Sequence, residues 1–273
     1  MTTATLDRAA TPRAEGHYGF RPVAQMEWLK LRSVRSTWWT LLVFAAGMIG
    51  LAVLVMIHQH WATMPAADRA SFDPTNDSYA GLAIGQLALG VLGVLAVTSE
   101  FSSGMIRATF AAAPRRPLVL AAKAASVAGV TLVAGEILAF VAFGVGEAVL
   151  KSPAPHASLG QPGVLRAVLM AGAYPALIAL IGLGLGAVIR HTAGAISTLV
   201  GVLFVLPLIL VPLGTSIQNA AGQFMPMLIA ENSLTAVRPV AHSLSPGVGF
   251  AVLCFYAATA LAAGSWLLAR RDA

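Results

Sequence analysis

The sequence predicts an all-α integral membrane protein with six membrane-spanning helices. Of its 273 residues, 58% are hydrophobic and only 10% are charged, whereas a soluble domain carries about 25% charged residues. Long apolar runs include Tyr79–Val97, which has no charged residue, and Ala124–Gly146, whose only charged residue is Glu136. As a helix, each run is long enough to cross a hydrocarbon core of about 30 Å. We therefore expect no separate soluble catalytic domain.

The six predicted spans follow the apolar runs in order: Trp38–Ile57, Tyr79–Val97, Ala124–Gly146, Ala167–Ile189, Ala193–Leu213 and Gly247–Leu268. Only Arg190, His191 and Thr192 separate the fourth run from the fifth, so we expect these two helices to be antiparallel neighbours. Glycines recur at contact spacing, as Gly182 and Gly186 do in the fourth run. This spacing lets two helix backbones approach each other closely within a membrane.

The distribution of Lys and Arg predicts the orientation of the spans. An even number of spans places both chain ends on the same side of the membrane. Thirteen of the seventeen Lys and Arg residues then lie on that side, and the others are Arg69, Lys151, Arg166 and Arg238. Cytoplasmic loops carry the excess of Lys and Arg, so we expect both termini in the cytoplasm. Because the cations flank apolar runs instead of covering one exposed face, we expect no binding of nucleic acid.

The segment Glu100–Lys123, between the second and third spans, is the most basic loop between two spans. Its four cations are Arg107, Arg115, Arg116 and Lys123. Helix breaks are expected at Gly104 and Pro114, which would leave a short stiff element between two hinges. Such a cytoplasmic hairpin could dock on a partner and transmit a rigid-body motion to the spans that flank it.

The sequence before the first span divides into two parts. Residues 1–22 are predicted to form a flexible cytoplasmic N-terminus, residues 23–37 an interfacial helix, and residues 38–273 the six-span domain. Apolar and charged residues are mixed in the predicted interfacial helix without cleanly separated faces, and they include Glu27, Trp28, Lys30 and Arg32. Trp and long cationic side chains suit the surface of a membrane. An ordinary positively charged flank of the first span is the alternative interpretation.

The loop Gly214–Pro246 contains an apolar stretch, Phe224–Val237. This stretch is too apolar for a plain loop and too short to cross a bilayer. We expect it to form a short re-entrant or surface-lying helix on the outer side.

The sequence contains none of the common motifs of a nucleotide, metal or hydrolase site. There is no GxxxxGK[ST] phosphate loop, no HExxH, no CxxC and no GxSxG. The six histidines are scattered without ligand spacing, so we expect no metal site and no bound cofactor. The chain is therefore predicted not to be an enzyme, and any ATP hydrolysis that drives it must occur on another chain.

Glu136 is the one ionisable residue deep within a predicted span. A charge at this depth is costly, so the carboxyl group is expected to be protonated, paired or in contact with water. In one interpretation, Glu136 contacts a substrate or cation in a translocation path. In the other, it is a neutral carboxyl group hydrogen-bonded to a polar neighbour such as Gln86 or Tyr174.

The basic hairpin resembles the cytoplasmic segment of the permease subunits of ABC-2 type transporters. In that family the segment reads as an acid, a small residue followed by a hydrophobic one, Pro with Arg, and then Lys. The matching residues here are Glu100, Gly104-Met105-Ile106, Pro114-Arg115-Arg116 and Lys123. The sequence Glu27–Arg32 is similar to the family's elbow helix, and Phe224-Met225-Pro226 to its short extracellular helices before span six. Met105 departs from the pattern, in which Thr is usual at this position.

The resemblance implies a six-span subunit that pairs with a second permease, identical or different, and with two ATP-binding subunits. ATP and Mg²⁺ would be bound by those partner subunits. The hairpin would be the coupling element, with contacts from Glu100, Gly104, Arg107, Pro114, Arg115, Arg116 and Lys123. Gln86, Glu136 and Tyr174 are candidates for the translocation path.

Three functional hypotheses follow. The first is an ATP-driven exporter subunit in a bacterial plasma membrane, which moves a hydrophobic or amphipathic compound such as a drug or lipid. The second is an ion-coupled secondary transporter that uses Glu136, although such proteins often contain internal repeats and none is visible here. The third, an intramembrane enzyme, lacks a paired catalytic constellation.

Overall fold

A computed structural model describes residues 19–236 and 243–270, and within these ranges the chain is helical with no β-strand. Six helices in these ranges are long and apolar enough to cross a membrane. We number them as spans 1 to 6: Arg35–Ile57, Leu82–Ser102, Arg116–Val149, Val164–Ile189, Thr192–Leu213 and Pro246–Arg270. This confirms the predicted all-α fold and the presence of six helices with the length and composition of membrane spans.

Spans 2 and 3 extend beyond the apolar runs from which they were predicted. Span 2 begins at Leu82, three residues later than predicted, and continues past Val97 to Ser102; span 3 begins at Arg116 instead of Ala124 and ends at Val149 instead of Gly146. The charged side chains Glu100, Arg116 and Lys123 in these extensions have partners within the protein. With 34 residues, span 3 is about 51 Å long at 1.5 Å per residue, which exceeds the thickness of a hydrocarbon core.

Span 4 lies at the centre of the bundle and packs against spans 2, 3, 5 and 6. Glycines make these contacts close, as their spacing predicts. A Cβ atom at Gly182 would lie 2.3 Å from the carbonyl oxygen of Gly90 in span 2, and one at Gly184 would lie 2.5 Å from the carbonyl carbon of Ala260 in span 6. The backbones of spans 2 and 6 therefore approach span 4 where a side chain would not fit.

Span 5 lies at the periphery and is irregular. It begins as the α-helix Thr192–Val200, widens into the π-helical turn Gly201–Val205, and ends as Leu206–Leu210 and the 3₁₀ turn Val211–Leu213. Pro207 follows the wide turn and has no amide hydrogen to donate, so the regular hydrogen-bond pattern is interrupted there. Spans 4 and 5 pack against each other across their short connection, as predicted.

A 14-residue N-terminal helix, Phe20–Ser33, precedes span 1. It begins and ends earlier than the predicted interfacial helix, residues 23–37. Pro22 is compatible with this start because amides in the first helical turn lack intrahelical acceptors. Val34 is extended and separates the helix from span 1. Residues 20–22, which were predicted to belong to a flexible N-terminus, are therefore helical. Residues 1–18 of that predicted segment lie outside the described residues.

Short helices fill the connections at the end of the bundle where span 2 begins. Between spans 1 and 2 they are Trp61–Thr63, Ala66–Ser71 and Pro74–Asp77; between spans 5 and 6 they are Thr215–Gly222 and Pro226–Leu234. The last of these confirms a short helix within the apolar stretch Phe224–Val237, whose final residue is not among those described. Asp73 joins the two connections, because its carboxylate accepts hydrogen bonds from the amides of Thr75 at 3.0 Å and Ala236 at 2.6 Å.

Candidate functional site

Four charged side chains from three helices meet at the end of the bundle where span 2 ends. Glu27 and Lys30 come from the N-terminal helix, Glu100 from span 2 and Lys123 from span 3. We call these four residues the ionic network, and this end of the bundle the ionic end. Glu27 is 1% exposed and Glu100 and Lys123 are each 3% exposed. Charges buried to this degree are stable only when they are paired.

The network alternates positive and negative groups. Lys123 Nζ donates a hydrogen bond to Glu27 Oε2 and lies 2.9 Å from Glu100 Oε1. Lys30 Nζ lies 2.9 Å from Glu27 Oε1 and 3.0 Å from Glu100 Oε1. Each ammonium group therefore contacts both carboxylates, and the four formal charges cancel. The arrangement ties the N-terminal helix to spans 2 and 3.

Thr109 connects the loop between spans 2 and 3 to this network. It lies in the helix Met105–Ala112, which we call the loop helix. Lys30 Nζ donates to the Thr109 hydroxyl oxygen at 3.2 Å, and that hydroxyl group donates to Glu100 Oε2 at 3.4 Å. Sequence reasoning missed Thr109. The signal that could have identified it is its spacing from Ile106, because residues three apart share one face of a helix and both are buried.

The network also sets the ionisation of Lys30. Burial by itself lowers the pKa of this ammonium group, but its hydrogen bonds and attraction to the carboxylates of Glu27 and Glu100 outweigh that effect and raise the pKa above its usual value. Lys30 therefore stays charged at neutral pH. It is the most exposed member of the network, with a side chain that is 26% accessible.

The loop helix is bounded by the two predicted helix breaks. Gly104 has a φ of +71°, a left-handed conformation that favours glycine, and Pro114 lies just beyond the last helical residue. Gly104, Arg107, Pro114 and Arg115 are exposed. Of the residues that the resemblance assigns to coupling, these four face solvent. Glu100 and Lys123 lie inside the ionic network.

Arg116, another predicted coupling residue, is bonded within the chain. Its guanidinium group donates to the carbonyl oxygen of Leu268 at 3.1 Å and lies 5.3 Å from the ring centre of Phe110. Arg190 similarly donates to the carbonyl oxygen of Leu267 at 3.3 Å. The last carbonyl groups of a helix lack intrahelical donors, so the two arginines cap span 6. Arg116 thus links span 3 and the loop helix to span 6.

The N-terminal helix has two distinct faces. Val23, Glu27 and Leu31 recur every four residues and are buried against the bundle. Trp28 and Arg32 lie on the exposed face, and Trp28 is 47% exposed. The predicted interfacial residues therefore separate into a charged pair that faces the network, Glu27 and Lys30, and an outward-facing pair.

The predicted translocation residues do not form one cluster. The Tyr174 hydroxyl group donates to Gln86 Oε1, and both side chains are 1% exposed. Among the described residues no hydrogen bond joins Glu136 to either of them, and the Glu136 Oε2 atom is buried without a hydrogen-bond partner. Glu136 instead abuts Gly172 of span 4, where an added Cβ atom would lie 2.6 Å from its carboxyl carbon.

A cavity of about 270 Å³ lies at the end of the bundle opposite the ionic end. Gln86 and Tyr174 line its inner part, and Asp77 and Glu231 also line it. Burial, reinforced by the nearby charge of Asp73, raises the pKa of Asp77 to about 6. The cavity could receive a small polar or amphipathic molecule between spans 2 and 4.

The fold and the ionic network define a class of protein, a helical protein with the architecture of a multi-pass membrane protein. In this protein, buried charges join the loop helix to the second and third spans. No protein-family model matches the chain, and no curated protein matches it either.

Proposed function

We propose that this chain is the permease subunit of an ABC-2 type transporter, which exports a hydrophobic or amphipathic compound across a bacterial plasma membrane. The observation that carries the proposal is the bonding of the loop helix, through Thr109, to Glu100 and Lys30 of the ionic network. A force applied to the loop helix reaches the N-terminal helix and spans 2 and 3 together. An ATP-driven permease requires this kind of rigid connection.

Two of the residues that carry the resemblance support the proposal because they bond to each other. Glu100 and Lys123, the acid and the Lys of the pattern, bond to each other at 2.9 Å. Arg107 and Arg115 are exposed beside the loop helix or on it. In the proposed mechanism, these exposed cations dock on acidic groups of the ATPase, and the buried pair transmits the motion.

The partners follow from the same proposal. Two ATP-binding subunits bind and hydrolyse ATP with Mg²⁺, because this sequence contains no phosphate-loop motif. A second permease, identical or different, completes the transmembrane unit. The ionic end faces the cytoplasm, with both termini on that side. Gln86, Tyr174 and Glu136 are the candidate residues of the path across the membrane.

The test is the double change Arg107→Glu with Arg115→Glu, which reverses the exposed charges beside the loop helix. Arg116 is left unchanged because it caps span 6. The double variant should insert into the membrane and fold normally, but it should fail to co-purify with a co-expressed ATP-binding subunit. The control Lys151→Glu changes an exposed cation outside the spans at the opposite end and should leave co-purification intact. If the double variant retains its ATPase and its transport-linked ATP turnover, the proposal is refuted.

A second candidate function, ion-coupled secondary transport, is favoured by the unpartnered carboxylate oxygen of Glu136 between spans 3 and 4. In that case the chain alone, in proteoliposomes, would transport in response to a proton or sodium gradient without any ATPase. Glu136→Gln would abolish the gradient dependence while preserving the fold. Under the ABC-2 proposal, the chain alone shows no gradient-driven transport.

A further inference from the structure

A groove of about 440 Å³ runs along the flank of the bundle between the N-terminal helix, span 1 and span 3. Its walls are mostly apolar, and Val133 and Ile137 in them are 61% and 59% exposed. In a bilayer this flank faces hydrocarbon and not water. The groove must therefore be filled by an apolar chain, or its walls lose the contacts that a packed surface provides.

Arg32 and two tryptophans lie at one end of the groove. The Arg32 guanidinium group is exposed and has no hydrogen-bond or ion-pair partner among the described residues. The Arg32 backbone is held beside span 1, because Trp38 Nε1 donates to the carbonyl oxygen of Arg32 at 3.0 Å. Trp28 and Trp38 are 47% and 59% exposed, and exposed tryptophans typically lie at the level of the lipid headgroups.

We propose that this groove is a binding site for an anionic phospholipid, with one acyl chain between spans 1 and 3 and the headgroup phosphate against Arg32. A guanidinium group matches a phosphate in both charge and geometry. Arg35, three residues further along the chain, is also exposed and adds positive charge at the start of span 1. A zwitterionic lipid would bring its own cation towards the two arginines and would be bound more weakly.

The bound lipid would contact two elements that the ionic network also joins. Trp28 and Leu31 of the N-terminal helix and Val130 of span 3 line the groove, and Glu27 pairs with Lys123 across the same two helices. Occupancy of the groove therefore favours the packed arrangement of the N-terminal helix, and it raises the thermal stability of the protein by linkage. The proposal does not depend on the class of transporter.

The experiment uses native mass spectrometry of the purified chain with added phosphatidylglycerol or phosphatidylcholine of the same acyl chains. Arg32→Gln removes the cation. Gly129→Leu fills the groove, because Gly129 lines it and an added Cβ atom would meet nothing within 4 Å. The matched controls are Arg107→Gln, an exposed cation outside the groove, and Gly144→Leu, an equally open glycine of span 3 outside its lining.

The wild-type protein and both controls should retain phosphatidylglycerol with a preference of about fivefold or more over phosphatidylcholine. Arg32→Gln should lose the preference, and Gly129→Leu should retain neither lipid at this site. Melting temperatures measured with each lipid should follow the same order. If Gly129→Leu does not fold, Ala134→Phe in the same wall replaces it. Equal retention of the two lipids by the wild type, or wild-type retention by both groove variants, would overturn the proposal.

Discussion

Glu27 in the N-terminal helix and Lys123 in span 3 form a buried ion pair between residues that are 96 positions apart in the sequence. Their side chains are only 1% and 4% accessible. The pair holds the N-terminal helix against span 3, and Glu100 shares the same ammonium group. Because desolvation of each charge is costly, every member of the network depends on the others for its stability.

We predict that loss of one member of this pair is more damaging than loss of both. Lys123→Met leaves two buried carboxylates with Lys30 alone, and we expect a loss of roughly 3–5 kcal/mol in the free energy of unfolding. The double variant Glu27→Gln with Lys123→Met should recover part of that loss. Denaturation of the four proteins of this double-mutant cycle measures the coupling. Additive single effects would show that the two side chains do not interact.

Thr109→Val should weaken the link between the loop helix and the network while preserving the shape of the side chain. The hydroxyl group bridges Lys30 and Glu100 at 3.2 and 3.4 Å. Under the proposed function, the variant should still bind the ATPase, but its substrate-stimulated ATP turnover should fall. Thr109→Ser keeps the hydroxyl group and should behave as the wild type. Normal coupling in the Val variant would mean that the hydroxyl bridge does not transmit motion.

Gly182→Ala should destabilise the bundle because the new Cβ atom would lie 2.3 Å from the carbonyl oxygen of Gly90. Spans 2 and 4 would have to separate, and we expect a fall in melting temperature. At Gly144 of span 3, an added Cβ atom meets nothing within 4 Å. Gly144→Ala should be neutral or stabilising by up to about 1 kcal/mol, since alanine favours helices. Equal melting temperatures for the two variants would contradict the close packing.

Asp77 should make the protein less stable as the pH rises, which is opposite to the effect of a carboxyl group whose pKa is lowered by folding. Its pKa is raised from 3.8 to about 6 by burial and by the charge of Asp73, so between these values the folded state binds more protons than the unfolded state. This contribution to stability is complete below about pH 4 and is lost as the pH rises through 6. Asp77→Asn should therefore raise the melting temperature more at pH 8 than at pH 5. Glu231 is a second carboxyl group in the cavity lining. The control variant is Asp68→Asn, because Asp68 is exposed. An equal gain in melting temperature at the two pH values would show that the pKa of Asp77 is not raised in the folded protein.

The proposed orientation can be tested by labelling single cysteines in whole cells. In a Cys254→Ser background, cysteines at Ser71 and Ser158 should react with an impermeant thiol reagent, because these positions lie at the end opposite the ionic network. A cysteine at Thr192, in the connection between spans 4 and 5, should be protected until the cells are lysed. Labelling of the cysteine at position 192 in intact cells would contradict the proposed orientation.

The six spans could be predicted from sequence because hydrophobic length is a property of consecutive residues. Each of the apolar runs lies in a helix of membrane-crossing length, and the close contacts at Gly182 and Gly186 were predicted from the spacing of these glycines. The helix ends were less predictable. Span 3 begins at Arg116, eight residues before its apolar run; the charges in these first turns are bonded to other helices, and local composition carries no information about those bonds.

Only the tertiary structure decided which charged residues are available to a partner. The sequence placed Glu100, Arg116 and Lys123 in one basic hairpin, but packing buries Glu100 and Lys123 with Glu27 and turns Arg116 towards span 6. It also joins Gln86 to Tyr174 and leaves Glu136 apart. The physical reason is that the partner of a buried polar group is set by how the helices pack, whereas the sequence determines only that a partner is required.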